Sequence, residues 1–324
     1  MGHVLSRRAA LLLFAVVVIS WGSNWAVTKT LVQSASPLWA VAIRSAIATA
    51  ALFVLLLARR QFILPRRGDV PVIFAVAVLH MGAFSALVAF GLQFVEVGRS
   101  IVLGYTTPLW VAPAAWLFLS EPVTGSRLAG VGLGLVGLAI MFNPLAFDWG
   151  DRNALIGNGL VLLAALCWAT NILYVRMHRW VSTPFQLVFW QALLATTMLS
   201  MLAWSIDGAP QIVWSPHLAW AFLYAGVCGT ALAHWAMIMV NRSLSVVTTS
   251  LGLLATPVIG VVTSAVCLGE PVGIPLICAM AMILGGIAIG VPHGKRAADR
   301  QSPQLAPSAC DSIARRRVRA TLTG

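Results

Sequence analysis

The stretch Ser20-Trp-Gly-Ser-Asn-Trp-Ala-Val-Thr-Lys29 has a looser second copy, Cys167-Trp-Ala-Thr-Asn-Ile-Leu-Tyr-Val-Arg176. Trp21 meets Trp168, Asn24 meets Asn171, and basic Lys29 meets basic Arg176; Pro37 then meets Pro184 at the same offset. Further on, Thr107-Pro108 meets Thr256-Pro257, Glu121-Pro122-Val123 meets Glu270-Pro271-Val272, and Gly137-Leu-Ala-Ile140 meets Gly286-Ile-Ala-Ile289. Each match is short, but all fall in the same order along both halves, so the chain is read as a duplication.

Composition says what is duplicated. Of 324 residues, 60% are hydrophobic and 9% are charged, whereas a soluble domain carries about 25% charged residues. A water-soluble globule has no place for that much apolar surface; a bilayer does, at roughly 20 apolar residues per spanning helix. The apolar runs fall near 9–31, 37–58, 70–94, 99–119, 124–142, 154–175, 184–206, 217–240, 244–268 and 273–291. The expected fold is an all-α integral membrane protein of ten transmembrane helices in two inverted five-helix repeats, 1–143 and 154–292. The region 293–324, polar and basic, is expected to be a disordered cytoplasmic tail. Arg7 and Arg8 before an apolar run resemble a signal peptide, but the run continues to Leu31 without a small-residue cleavage site, which marks a retained first helix.

Charge sets the orientation. With the N-terminus in the cytoplasm, 17 of the 21 Lys and Arg fall inside: Arg7, Arg8, Arg59, Arg60, Arg66, Arg67, Arg127, Arg176, Arg179, Arg242, Lys295, Arg296, Arg300, Arg315, Arg316, Arg317 and Arg319. Only Lys29, Arg99 and Arg152 fall outside, and Arg44 lies within a helix. Both termini are thus expected in the cytoplasm, with the protein in the cytoplasmic (inner) membrane. The net charge of +12 reflects this topology rather than a nucleic-acid surface. Five helices per half is an odd number, so the halves insert in opposite senses. Accordingly, the loop after helix 2 carries four arginines, while its counterpart after helix 7 carries Asp207 and no Lys or Arg. Inverted repeats are a recurring transporter design, with substrate bound near the midplane.

The motif Trp21-Gly-Ser-Asn24 with Lys29 resembles the first-helix signature of the drug/metabolite transporter superfamily, EamA type. Arg44, the stretch from Gly91-Leu-Gln to Thr107-Pro108-Leu109, and Leu119-Ser-Glu121-Pro122, with its echo Leu268-Gly-Glu270-Pro271, resemble it too. The resemblance covers about 9–291 and implies an exporter-like permease for amino acids or other small metabolites. The second copy departs from the first: Gly22 becomes Ala169, and Arg44 aligns with Gln191.

Polar groups in mid-membrane carry the functional signal. Arg44, some seven residues into helix 2, costs about 2.5 kcal/mol or more in hydrocarbon, so it faces the bundle or a wet cavity. It serves either as counter-charge to a carboxylate substrate or as a clamp on carbonyls and groups such as Asn24. Trp21 with Asn24, and Trp168 with Asn171, each share a helix face and either line a central pocket or bond between helices. His80 and His234 are packing residues or a proton-coupling pair of sites. Tyr105 and Tyr224 are further pocket candidates. Pro108, Pro113 and Pro257 remove backbone bonds and are expected to bend their helices. Gly130 and Gly134 form a G-x-x-x-G on helix 5, for close packing or a homodimer seam.

The acids Asp69, Glu96, Glu121, Asp148, Asp151, Asp207 and Glu270 all fall at span ends or in loops. That argues against a cation pump built on a membrane-embedded carboxylate. Phosphate loops, zinc spacings and nucleophile elbows are missing from the sequence, and no cofactor or enzyme activity is expected. The alternative functions are a lipid or isoprenoid-carrier flippase and a passive pore.

Overall fold

The computed structural model describes residues 5–119, 124–142, 150–244 and 246–290. Glu121-Pro122, Asp148 and the basic tail 293–324 lie outside the described residues. Among those described, regular structure is helical throughout. In chain order the helices are α1 (Arg7–Ser34), α2 (Pro37–Ala58), α3 (Arg67–Phe94), α4 (Val97–Gly104), α5 (Thr107–Leu119) and α6 (Gly125–Phe142). They continue as α7 (Arg152–Met177), α8 (Pro184–Asp207), α9 (Pro216–Ser243), α10 (Val246–Leu253), α11 (Ala255–Leu268) and α12 (Ile274–Gly290). Seven stretches among the described residues are long and apolar enough to cross a membrane: α1, α2, α3, Val97–Phe118, α7, α8 and α9. Gly125–Ile140, Ala255–Leu268 and Ile274–Gly290 are apolar but shorter. Large apolar side chains such as Leu12, Val16, Trp116, Phe118 and Val266 stand exposed on the outer faces, as a bilayer requires.

The two halves share local irregularities. Residues 76–84 of α3 and 224–232 of α9 both wind as π-helix, a local winding that often marks functional positions. Given the offsets of the sequence repeat, the two segments occupy equivalent places. The prolines expected to bend continuous helices do something sharper. The chain breaks at Tyr105 and Thr106, and again at Leu254. Pro108 and Pro257 stand in the first turns of the new helices, α5 and α11, where a missing N–H costs nothing. Pro113 alone lies inside its helix.

Small and polar residues set how the helices approach. Gly22 of α1 faces Ile259 and the Thr256 carbonyl of α11, and Gly91 of α3 faces Val161 and the Gly157 carbonyl of α7. Between α2 and α8, Thr196 donates to Ser45 at 2.8 Å and shares a 3.0 Å hydrogen bond with Thr49, polar pairing worth about 0.6 kcal/mol per bond in membrane proteins. The G-x-x-x-G face of α6 is occupied within the chain. Gly130 lies against the backbone of Gly286 and Gly290, and Gly137 against Ala279, Met282 and Ile283 of α12. Within the chain those glycines serve the close packing of α6 on α12.

Bonds between connecting segments sort them into two ends. At one end the Leu5 N–H donates to Ser243 (3.2 Å), Asp69 accepts from Val181 and Ser182, the Trp190 indole donates to the Ile63 carbonyl, and the Arg59 guanidinium stands 5.1 Å over the Trp235 ring. At the other end Asp207 accepts the Ser36 hydroxyl (2.6 Å), Trp39 donates to the Gly208 carbonyl (3.0 Å), and Glu270 accepts the Val97 and Gly98 N–H groups (2.8 and 3.0 Å). Lys29, at the α1 end of this second group, donates to the carbonyls of Leu92 and Val95 (the latter at 3.0 Å). It thereby satisfies the open carbonyls at the C-terminus of α3.

Candidate functional site

Six of the ten side chains singled out in the sequence meet in the middle of the bundle. Trp21 of α1 meets His234 of α9 edge-on, with ring centroids 5.8 Å apart. His234 lies 6.0 Å from His80 of α3, and His80 stacks on Trp168 of α7 at 5.7 Å and 16°. Tyr105, at the break between α4 and α5, meets Trp168 edge-on at 6.0 Å. The chain of rings thus alternates between the two sequence repeats. Arg44 of α2 lies deep in the bundle, within electrostatic reach of both histidines. Among the described residues it makes no hydrogen bond or ion pair. The clamp alternative for Arg44 therefore has no bond to support it.

The π-helical stretches help build this cluster. In α9 they set Gly226 against the Arg44 carbonyl and Ile47 of α2, and Gly229 against the Asn24 side chain. At either glycine a β-carbon would collide with its neighbour. Two residues beyond the π-stretch in α9, the His234 Nδ1 is 2.7 Å from the Thr230 carbonyl. A carbonyl only accepts, so Nδ1 carries the hydrogen and Nε2 the lone pair. That Nε2, like the Asn24 Oδ1, is buried with no partner in the protein. Asn24 thus joins the cluster through α9.

The remaining candidates sit apart. Tyr224 shares a 2.7 Å hydrogen bond with Ser23, next to Asn24. Asn171 is 6% exposed with its Oδ1 unpartnered, and Gln191 is 5% exposed; neither belongs to the chain of rings. The symmetric pairing of Trp21/Asn24 with Trp168/Asn171 is therefore realised for the tryptophans and for one amide. Three contributors were not singled out from sequence. Phe84 packs on both His80 (5.7 Å) and Trp168 (5.3 Å), Trp25 meets Phe84 at 6.4 Å, and Thr230 orients His234. Trp25 was detectable, being one turn from Trp21 on the same helix. Among the described residues no group of His, Cys, Asp and Glu could hold a metal ion, and the cysteines are free.

The arrangement offers ring faces, the Arg44 guanidinium and a few unpaired polar atoms.

The pattern of the EamA-like transporter family matches residues 8–143 and again 155–291. A Bacillus subtilis protein described as the uncharacterized transporter YoaV is 24% identical over 271 residues, 84% of this chain and 92% of its own. A Chlamydia trachomatis S-adenosylmethionine/S-adenosylhomocysteine transporter is 26% identical over 215 residues, 64% of each chain. A solved crystal structure at 18% identity superposes with a TM-score of 0.61, covering 88% of this chain and 98% of the other, which extends the likeness to the fold.

Proposed function

The chain belongs to the EamA-like transporter family, and from that premise we propose that it is a secondary transporter exporting amino acids or other small polar metabolites by alternating access. The family and its relatives are transporters, not enzymes, and the protein is a multi-pass membrane protein acting on a small-molecule substrate.

The proposed architecture has ten crossings. α4 with α5, and α10 with α11, each count as one crossing broken at a turn. The repeats are 1–143 and 154–292, inserted in opposite senses in the cytoplasmic membrane with both termini inside. The sorting of connecting segments into two ends supports this. Loops that the arginine count puts inside bond to one another, as do those it puts outside. The paired breaks and paired π-stretches support the repeat.

The observation that carries the transport reading is the ring chain Trp21–His234–His80–Trp168–Tyr105 beside Arg44. Both halves contribute to it, so movement of one half against the other changes its access. Arg44 supplies a counter-charge for a substrate carboxylate, and the rings supply flat apolar walls. The Chlamydia relative, named for an amino-acid derivative, fits the same broad class of small metabolites. Flux of labelled metabolites through the purified protein in liposomes tests the reading. Trp168→Ala should remove most of it while the protein stays folded, whereas Trp204→Ala, at an exposed site where the ring meets Trp39 edge-on, should not.

A further inference from the structure

Resting on the transport reading, we infer that the ring cluster beside Arg44 binds an organic monocarboxylate lacking an ammonium group, together with one proton taken up at His234 Nε2.

The charges around the rings are one-sided. Arg44 comes from α2, His80 from α3 and His234 from α9. The other titratable groups nearby are Tyr105, at the α4–α5 break; Tyr224, bonded to Ser23; and Cys167 and Cys228, both half-buried. Every described carboxylate is held elsewhere. Asp69 bonds the 181–182 segment, Asp207 bonds Ser36, Glu270 bonds Val97 and Gly98, Asp151 caps α7, and Glu96 precedes α4. The basic groups Lys29, Arg176 and Arg242 belong to helix ends. A ligand ammonium would therefore enter beside a guanidinium with no acid to meet it. A carboxylate meets Arg44, which has no other anion, and buried charge needs such a partner. Within the proposed metabolite class this favours simple acids over zwitterions, and the aromatic side chains clustered near Arg44 favour an aromatic group on the acid.

The proton follows from the His234 tautomer. Nδ1–H is committed to the Thr230 carbonyl at 2.7 Å, so the proton-accepting atom is Nε2, which is buried and unpartnered. A carboxylate on Arg44 and a proton on Nε2 are opposite charges in one low-dielectric space, so each strengthens the other's binding, and the effect is reciprocal. The pair crosses with less net charge than the anion alone.

Calorimetry tests this on the full-length protein in lipid nanodiscs, with phenylacetate as probe and phenylacetamide as its neutral counterpart. Titrations in two buffers of different ionisation enthalpy give the protons exchanged per ligand bound. Phenylacetate should bind with net proton uptake and tighten as pH falls, by up to about tenfold per unit. Phenylacetamide should bind without uptake. His234→Gln, which keeps a polar nitrogen near the Nε2 position, should abolish uptake from phenylacetate while the melting temperature stays within a few degrees. Binding without uptake, proton release, or uptake that survives in His234→Gln would overturn the inference. So would failure of phenylacetate to bind, or tighter binding of phenylalanine than of phenylacetate. If the liposome screen still found flux in any of those cases, transport would stand and only the anion–proton assignment would fall.

Discussion

The Asp69 carboxylate accepts both the hydroxyl of Ser182, at 2.6 Å, and its backbone N–H, at 3.1 Å, across 113 residues of sequence. Asp69 is 0% exposed, and it also accepts the Val181 N–H at 3.3 Å. At the other end, Asp207 holds the Ser36 hydroxyl at 2.6 Å. Each bond ties an acid of one half to the residue that precedes or caps the proline-started second helix of the other half. The two bonds differ in what replaces them. Without Asp69 the buried N–H and hydroxyl of Ser182 and the part-buried Val181 N–H lose their acceptor; without Asp207 the Ser36 hydroxyl, whose bond lies at the exposed surface, turns to water.

Asp69→Ala should therefore destabilise the protein by about 2–3 kcal/mol, the cost of stranding buried donors. Asp207→Ala should cost within about 0.5 kcal/mol, as exposed substitutions do. Melting of the purified variants in detergent compares them. Equal losses would show that the Asp69 bonds do not join the halves.

The proposed opposite insertion of the halves predicts labelling. In a cysteine-free background Leu64→Cys should resist an impermeant thiol reagent added outside cells, and Val213→Cys should react. Both side chains are well exposed, at 74% and 91%, so burial cannot explain a difference. The reverse pattern would sink the inverted-repeat topology.

Close approach of α6 and α12 predicts a steep cost for bulk. A β-carbon on Gly286 would meet the Gly134 nitrogen at 3.0 Å and the Gly130 carbonyl closer still, whereas one on Gly132 meets nothing within 4 Å. Gly286→Val should lower stability by about 1–3 kcal/mol, as overpacking does. Gly132→Ala should be neutral or stabilise by up to about 1 kcal/mol. Thermal melts read both, and a tolerated Gly286→Val would mean the helices stand further apart.

Arg44 was legible in the sequence because a charge in mid-membrane has few explanations, Trp21 and Trp168 because they recur at matching places in the two halves, and His80, His234 and Tyr105 because such polar side chains are rare inside spans. Their contacts were not legible. Phe84 and Trp25 look like any apolar residue of a span. The π-winding that carries Gly226 and Gly229 onto α2 and α1 arises from packing between helices and leaves no local pattern. Pro108 and Pro257 announced a disturbance but not that the helix would end and restart. Asp69 looked like an ordinary helix boundary because its partner Ser182 is so remote in sequence. The Gly130–Gly134 face read first as a close-packing face, but sequence does not say which helix fills it; α12 does.

Arg44 makes no bond that would hold the fold together. Arg44→Gln should thus accumulate and melt much like the parent, yet lose transport by tenfold or more, about 1.4 kcal/mol of binding. Arg44→Lys should bind more weakly without unfolding, because Lys lacks the planar fork. Parental flux in Arg44→Gln would remove Arg44 from the site.

The most direct measurement is flux itself. Purified protein in liposomes, offered a panel of amino acids and organic acids down a gradient, should pass at least one of them. Changing Asn24 and Asn171 together to Leu should suppress that flux more than it lowers protein yield. Liposomes that exclude the whole panel but scramble labelled lipid would contradict the account and make the protein a flippase.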